Sequence, residues 1–297
     1  MIDCTLVTCE AKPTLDPDDR ILLLELRKRR LSVSIAVWND PQVDWRASRL
    51  CVLRSTWDYY RHYGEFITWL ARAAGATTLR NDPSLVRWNA HKSYLRDLER
   101  AGVPVVPTVW INQGESRRLA ELSELLGSQD LVIKPARGAA THGVLLVRNE
   151  GAALMMGQAH LNTLSRTQDV LVQPYVETVV THGERALIFL DGRFSHAVVK
   201  KPFDTALAIR DARSALVSAA PDELSVASKA LAAVPGAPLY ARVDLIHDLE
   251  LNARVSEVEL IEPGLYLGAH VPASITFADA IERELRGRMG GLGRHRG

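Results

Sequence analysis

Strand-like and helix-like segments alternate over the first 82 residues, and this alternation limits the fold more than any other feature of the chain. The run CTLVTC is typical of a strand, and the segment LDPDDRILLLELRKRR after it is typical of a helix. Asp16 is placed to cap that helix, with Pro17 at its first position, acids in the first turn and bases in the last. The runs SVSIAVW and RLCVLRS predict two more strands, and GEFITWLARAAG predicts a helix that ends at Gly75. Together they predict a small open parallel sheet of the α/β class.

The rest of the chain predicts an antiparallel, α+β arrangement. NAHKSYLRDLERAG predicts one helix that Asn89 caps and that ends at Gly102, followed by the strand VVPTVW. Between residues 130 and 200 strands surround one helix, near GAALMMGQAHLNTL, and a hairpin turns at Asp191 and Gly192. LYARVDLI and RVSEVELIE predict two further strands, and SITFADAIERELR predicts a closing helix.

Composition and charge exclude several classes of protein. The chain has 297 residues, 47% of them hydrophobic, which is enough for a large core and for two or three lobes. A net charge of +1, with acids and bases intermixed, provides no field for nucleic acid or an anionic membrane. The apolar runs are too short to cross a bilayer, and the start MIDCTLVTCE lacks the regions of a signal peptide. We therefore expect a cytoplasmic protein, with a homodimer as one possible assembly. Cys4, Cys9 and Cys51 have no metal-ligand spacing and are expected to be buried thiols.

Lys134 stands at the end of an apolar strand in LVIKPARGAATHG. A buried ammonium group is costly unless an anion neutralises it, so this position needs a negative partner. The small residues of the following loop would let backbone N–H groups approach phosphate oxygens, although an ordinary hairpin loop fits the sequence equally well. Lys92 lies near the start of a helix, where anions are favoured, and is alternatively a solvated surface lysine.

Acidic residues recur at a spacing of two near the C-terminus. Asp244 follows Arg242 by two positions, and Glu259 follows Glu257 in the same way, so each pair points to one side of a strand. Adjacent carboxylates repel each other unless a cation joins them. An all-oxygen set suits Mg²⁺ or Mn²⁺. The alternative is a pair of exposed edge strands whose acids pair with Arg242 and Arg254.

The segment LRSTWDYY comes directly after a predicted parallel strand. In an open α/β sheet, the crevice beyond the carboxyl ends of the strands is the expected ligand site. We therefore expect a substrate-binding loop here, whereas the aromatic residues of the segment are expected to pack against the sheet. The predicted substrate contacts are Arg54, Ser55, Thr56 and Asp58.

Several of these pieces, in this order and spacing, resemble the ATP-grasp family, especially its glutathione-synthetase-like branch. They are Lys92, VIKPARGAATHG, VLVQPYVE, ARVD and EVELIEPG, within about residues 50 to 275. The resemblance implies an ATP-grasp fold with four regions. The first two are an N-terminal open α/β domain on the substrate side (1–82) and a region with linking helices and the start of the core (83–129). The last two are a central lid (130–177) and a C-terminal antiparallel-sheet lobe with the metal site (178–297).

The resemblance also implies roles for individual residues. Lys92 and Lys134 would contact the phosphates of ATP, and the loop 137–144 would close over them. Arg242 would steady an acyl phosphate, while Arg185 and Arg210 would contact substrate or the γ-phosphate. The remaining nucleotide-binding residues implied are Gly138, Thr141, His142 and Gly143 on the loop, and Gln173, Tyr175, Val176 and Glu177 near the adenine and ribose. Asp244, Glu257 and Glu259 would bind the metal, although the family usually has Asn at the position of Glu259, and Glu262 is a rival ligand or a substrate contact.

The activity implied is carboxylate activation, in which ATP and Mg²⁺ or Mn²⁺ convert a small amino-acid-like carboxylate to an acyl phosphate that a nitrogen attacks. Within the family, RSTWDY, VRWN, HK and ELIEPG are most similar to the cyclo-ligases that close O-ureidoserine to cycloserine in antibiotic biosynthesis. Two alternatives remain, an intermolecular amino-acid or peptide ligase and a regulatory protein that binds ATP without catalysis.

Overall fold

The N-terminal region is the parallel sheet that the sequence predicts. In this computed structural model, which describes residues 1–139, 141–200 and 214–289, its strands run parallel in the order β2-β1-β3-β4. The elements are β1 (Ile2–Thr8), α1 (Pro17–Lys28), β2 (Val33–Val37), β3 (Ser48–Ser55), α2 (Tyr63–Ala76) and β4 (Thr78–Arg80). The Asp16 side chain accepts from the N–H of Asp18 at 3.2 Å, which confirms the predicted cap.

The two faces of this sheet bury different groups of side chains. Leu6 and Val52 pack with α1 and with the C-terminal helix, whereas Val7 and Leu53 pack with an aromatic cluster on the other side. That cluster contains Trp38, Phe66 and Trp69, whose rings meet at centroid distances of 5.3 to 6.0 Å. All three cysteines are buried and free, as expected, and burial raises the pKa of each thiol.

The linking region has two helices where the sequence predicts one. They are α3 (Pro83–Asn89) and α4 (Tyr94–Arg100). Asn89 ends the first instead of capping the second, because its side chain bonds the backbone of Val258 and Leu260, at 2.8 Å each. Gly102 follows α4 with a φ of 77°, consistent with the predicted helix end.

The middle of the chain forms an antiparallel sheet in the order β5-β8-β6-β7. Ile133, Leu161 and Val172 belong to its buried core. The helix α5 is an element that the sequence analysis did not predict. The elements are β5 (Val109–Ile111), α5 (Leu119–Leu126), β6 (Leu131–Pro135), β7 (Leu145–Val147), α6 (Gly151–Ser165) and β8 (Val170–Pro174).

A second antiparallel sheet, in the order β11-β10-β9-β12-β13, forms most of the C-terminal region. Asp191 and Gly192 both have positive φ, 51° and 72°, which confirms the predicted two-residue hairpin between β9 and β10. The elements are α7 (Thr178–His182), β9 (Glu184–Leu190), β10 (Arg193–Lys200), β11 (Ser214–Val217), α8 (Pro221–Ala232), β12 (Tyr240–His247), β13 (Ala253–Glu259) and α9 (Val271–Met289). None of the helices in the described ranges combines the length and apolar character that a membrane span requires.

Asn81 joins the N-terminal sheet to the C-terminal sheet. It is fully buried, and its Nδ2 donates to the carbonyls of Tyr240 and Leu260 at 2.8 and 2.7 Å. Its Oδ1 accepts from the N–H of Leu239 at 2.6 Å. One amide side chain therefore satisfies three backbone groups that have no water to bond instead.

We expect Asn81→Ala to lower the free energy of unfolding by about 2–5 kcal/mol, because three buried backbone groups lose their partner. Urea denaturation measures this change. The control is Asn149→Ala, at an exposed site where the side-chain amide donates to Gln129, and it should change the same quantity by less than about 0.5 kcal/mol. Equal effects of the two variants would show that the hydrogen bonds of the Asn81 side chain do not stabilise the fold.

Candidate active site

Charged side chains gather on one face of the C-terminal sheet. In the antiparallel register Arg242 lies opposite Glu259, and Asp244 lies opposite Glu257. Lys200 lies opposite Glu184 on the neighbouring pair of strands, and Asp244 faces Ala186, two residues from Glu184. Because alternate residues of a strand share a face, these six charged residues project from the same side.

Asp244 is the centre of this charged face. Arg242 donates to its two carboxylate oxygens from Nε and Nη2 at 2.8 and 2.9 Å. Lys200 donates from Nζ to Oδ2 of Asp244 at 2.7 Å and also lies 3.1 Å from Glu184. Arg242 Nη2 donates to Glu259 as well. Burial alone would raise the pKa of Asp244, but Arg242 and Lys200 hold it below its usual value.

The carboxyl groups differ in pKa because they differ in their partners. Lys92 Nζ lies 2.5 Å from Glu257 Oε1, and this contact lowers the pKa of Glu257 despite its burial. For Glu259, burial and the neighbouring carboxylates outweigh Arg242 and raise the pKa to about 7. Burial, followed by the charge of Glu259, raises the pKa of Glu262 well above its usual value.

The predicted metal ligands are close enough to share one ion. Asp244, Glu257 and Glu259 each offer a carboxylate oxygen, and these oxygens lie within 4.8 Å of one another. An all-oxygen set of this kind fits Mg²⁺ or Mn²⁺ and does not fit a structural zinc ion. Glu262 lies outside this group and lines the adjacent cavity. The geometry therefore favours Glu259 over Glu262 as the third ligand.

Lys134 differs from the other lysines of the site. It lies near the end of β6 on the middle sheet, and across the described residues its ammonium group has no hydrogen bond or ion pair. Burial lowers the pKa of Lys134, and Glu257 and Glu184 oppose that effect only in part. For Lys92, by contrast, Glu257 overcomes burial and raises the pKa. Lys134 is thus a cation whose charge the surrounding side chains do not fully compensate.

The loop after Lys134 lies against the N-terminal region. His142 is exposed, and its ring centroid lies 5.3 Å from that of Tyr60. The Arg137 guanidinium lies 4.7 Å from the ring centroid of Tyr63. Gly143 has a φ of 74°, and a Cβ there would lie 3.2 Å from Pro135, so glycine suits this turn. Gly138 is partly buried, and Thr141 is exposed.

A cavity brings the predicted groups together. It lies between the N-terminal region, the loop after β6 and the acidic strand β13. Its lining includes Tyr59, Lys92, Gly138, Glu257, Glu259 and Glu262. Residues from positions far apart in the sequence therefore converge on one space that has both cationic and carboxylate walls.

The predicted adenine-binding strand is β8 and the residues after it. Gln173 is buried and donates to Thr108 Oγ1 at 2.9 Å. The N–H of Tyr175 donates to the Asp130 carbonyl at 2.8 Å, and its ring lies 4.7 Å from the Arg148 guanidinium. Val176 is half-buried and Glu177 is exposed, both directly before α7. Contacts of these residues with a nucleotide stay predictions.

The predicted substrate loop is bound mostly to the protein itself. Arg54 is 1% exposed, and its Nε donates to Asp19 at 2.8 Å. Ser55 donates to the same carboxylate at 2.6 Å, and Asp58 accepts from Trp38 Nε1 at 2.8 Å. Thr56 is fully buried, and no described residue forms a hydrogen bond with its hydroxyl. Arg54 and Ser55 thus bind another side chain of the protein. Substrate contacts for these four residues stay predictions.

The predicted arginine Arg185 is not part of this face. Arg185 pairs in register with Leu245, one position from Asp244, so its side chain projects from the opposite face of the sheet. There it lies 3.3 Å from Glu223 on α8. Its predicted contact with substrate or the γ-phosphate stays a prediction. Arg210 lies outside the described residues.

The sequence analysis missed Lys200 and Glu184. Lys200 is half-buried and, like Lys134, ends an apolar strand. An apolar run that ends in lysine, HAVVK, was therefore the signal in the sequence that could have found Lys200. Nothing in the sequence gives the register that places Lys200 beside Asp244.

Comparison with known proteins identifies the family. Residues 4–81 match the family model of the N-terminal domain of D-cycloserine synthetase DcsG. The cycloserine biosynthesis protein DcsG of Streptomyces lavendulae is 33% identical over 300 residues, which cover 95% of this chain and 98% of that protein. The chain belongs to the D-cycloserine synthetase family. The crystal structure of D-cycloserine synthetase DcsG superimposes with a TM-score of 0.84 at 31% identity, and covers 95% of this chain and 99% of its own.

More distant structures show how widely the fold of this D-cycloserine synthetase family member is shared. D-alanine–D-alanine ligase from Bacillus anthracis has a TM-score of 0.66 at 17% identity, with 99% of this chain and 100% of that chain covered. The ATP-grasp ligase PsnB has a TM-score of 0.65 at 17% identity, with 96% and 98% covered. The predicted ATP-grasp fold is confirmed, and the chain is an ATP-dependent ligase.

We expect Lys134→Met to raise the free energy of unfolding of the ligand-free protein by about 1–2 kcal/mol at neutral pH, because it removes a half-buried charge that is not fully compensated. The folded-state pKa of Lys134 lies below the unfolded value of 10.5, so the gain should shrink as pH rises towards that value. Urea denaturation at several pH values measures both effects. The control is Lys229→Met, on an exposed face of α8, which should change stability by less than about 0.5 kcal/mol. Destabilisation by Lys134→Met would contradict this account.

Proposed function

We propose that this protein uses ATP and Mg²⁺ or Mn²⁺ to close O-ureidoserine to cycloserine. The observation that carries the proposal is the cavity, where Lys92 and the carboxylates Glu257 and Glu259 meet, with the uncompensated Lys134 nearby on the middle sheet. A triphosphate with a divalent ion supplies both charges that this arrangement lacks, namely an anion for Lys134 and a cation for the carboxylates. Similarity to DcsG across 95% of the chain supports the choice of substrate.

The reaction overcomes the low reactivity of a carboxylate. A carboxylate oxygen of the substrate attacks the γ-phosphorus of ATP, and ADP leaves, which gives an acyl phosphate. The nitrogen bonded to the side-chain oxygen then attacks the acyl carbon, loses its proton and expels phosphate, which closes the ring. The ring nitrogen of cycloserine bears hydrogen, so water must remove the carbamoyl group of the ureido precursor as carbon dioxide and ammonia.

The residues of the site fit these steps. Lys92 and Lys134 would hold the phosphates, and the planar donors of Arg242 would face negative charge as it develops on the acyl group. Asp244, Glu257 and Glu259 would hold the ion, which when bound neutralises phosphate charge. No nucleophile from the protein is needed in this scheme, because ATP activates the carboxylate directly.

The intermolecular alternative has weaker support. D-alanine–D-alanine ligase and PsnB resemble this chain at 17% identity, which supports a common fold and no common substrate. The DcsG relatives are 31% and 33% identical over almost the whole chain. Cyclisation of one molecule is therefore the better proposal.

We expect ADP release when O-ureidoserine is the single carboxylate substrate. The assay offers ATP, Mg²⁺ and one amino-acid-like carboxylate at a time, and mass spectrometry identifies the product as cycloserine. Release that occurs only with a pair of amino acids would overturn cyclisation in favour of an intermolecular ligase. If ATP raises the melting temperature but no phosphate is released with any of the carboxylates, the protein is a regulatory protein.

We expect Glu257→Gln to raise the Mg²⁺ concentration for half-maximal ADP release about tenfold, because the site loses one negative ligand. Titration of Mg²⁺ and of Mn²⁺ measures the shift. Glu262→Gln is the matched comparison, since Glu262 lines the cavity outside the ligand group, and its Mg²⁺ requirement should stay near that of the unmodified enzyme. If only Glu262→Gln shifts the requirement, the ligands are misassigned.

A further inference from the structure

A row of backbone carbonyls follows the acidic strand β13. The segment 260–264 has the sequence LIEPG, and each of its carbonyl groups accepts a hydrogen bond from a side chain of another element. The donors, in order along the segment, are Asn81 at 2.7 Å, Tyr240 at 2.9 Å, Trp57 at 3.1 Å, Arg54 at 2.8 Å and Arg242 at 3.3 Å. Every carbonyl of this irregular segment thus has a side-chain donor.

The last two bonds connect the N-terminal sheet with the reaction site. Arg54 donates to the carbonyl of Pro263, and Arg242 donates to the carbonyl of Gly264, the next residue. A Cβ on Gly264 would lie 3.7 Å from Arg242 Nη1, which shows how closely the two approach. Gly264 thus fixes one edge of the Arg242 guanidinium, and Asp244 fixes the other.

Arg54 itself has little freedom to move. Its Nε bonds Asp19, which also accepts from Ser55, and its guanidinium lies 4.8 Å from the Tyr240 ring centroid and 5.7 Å from that of Phe277. A planar group held by a carboxylate and two rings keeps its remaining donors in fixed directions. A rigid donor is what a positioning role requires.

We infer that Arg54 and Trp57 are positioning residues for the ligase reaction, because they hold the segment 260–264 and through it the guanidinium of Arg242. This inference rests on the proposed function, in which Arg242 faces the acyl group. It gives the RSTWDY segment a task other than the substrate contact that the sequence predicts. Trp57 acts at the carbonyl of Glu262, whose side chain lines the cavity.

The same strand offers a matched control. Arg49, also on β3, donates to the Asp3 carboxylate and to the Leu285 carbonyl, at 2.8 Å each. Its contacts have the same chemistry as those of Arg54, one carboxylate and one carbonyl. They reach α9 and not the segment 260–264. Arg49→Lys therefore measures what a structural arginine contributes without this positioning.

The test compares Arg54→Lys, Arg49→Lys and Trp57→Phe in the full chain, well below their melting temperatures. We expect Arg54→Lys to lower kcat about 10- to 100-fold with little change in KM for ATP, because Arg242 is displaced while the nucleotide site is retained. Arg49→Lys should keep the kcat of the unmodified enzyme. Trp57→Phe, which leaves the Arg54–Asp19 ion pair intact, should also lower kcat, and it decides the matter if Arg54→Lys does not fold.

A double variant shows whether Arg54 acts through Arg242. In the Arg242→Lys background, Arg54→Lys should reduce kcat by less than about twofold further, because residues that act as a unit are not additive. Independent, multiplying effects would overturn the inference, and so would a normal kcat in both Arg54→Lys and Trp57→Phe. Full activity of Arg242→Lys alone would instead overturn the proposed role of Arg242.

A measurement without substrate completes the test. The Nε–H resonance of Arg242 is identified by its loss in Arg242→Lys and is then followed in the other variants by ¹⁵N NMR. We expect it to shift or broaden in Arg54→Lys and to stay unchanged in Arg49→Lys. An unchanged resonance in both variants would overturn the inference even if no substrate were turned over.

Discussion

The structure depends on the balance of charge between the acidic face of the C-terminal sheet and the cations around it. Asp244 and Glu257 stay ionised because Arg242, Lys200 and Lys92 compensate them, whereas the less compensated Glu259 has a raised pKa, about 7. The balance is incomplete, since Lys134 has no partner of its own across the described residues. A half-buried cation that is not fully compensated lowers the stability of the folded protein. The incomplete balance also prepares the site for a ligand that carries both signs of charge.

Much of this site was predictable from local patterns. A spacing of two on a strand fixes a common face, so the sequence put Arg242 with Asp244 and Glu257 with Glu259, and the pairing of β12 with β13 brings the three carboxylates together. The turn residues Asp191 and Gly192 fixed a hairpin because few other residues adopt positive φ. Each of these rules depends only on neighbours in the chain, and the order of the remaining motifs supplied the family.

What the sequence did not reveal depends on contacts between distant residues. Periodicity gives two faces to a strand but does not tell which one meets the ligand, and only the pairing with β12 places Arg185 on the face opposite to Asp244. Asn89 had the residue type of a helix cap, yet its amide bonds β13 and the residue after it instead. Arg54 lies near the end of a strand at the expected ligand crevice, where Asp19 and the Pro263 carbonyl accept from its Nε and Nη2. In all three cases the contact comes from a residue far away in the sequence.

The carbonyl row of residues 260–264 also bears on how members of this family can be recombined. Three of its five donors, Arg54, Trp57 and Asn81, come from the N-terminal region, while the acceptors belong to the C-terminal region. A chimera that joins the N-terminal region of one enzyme to the remainder of another must preserve both halves of this row. An exchange of N-terminal regions between family members is therefore constrained by these hydrogen bonds to the backbone. We expect the three donors and the segment 260–264 to be inherited together.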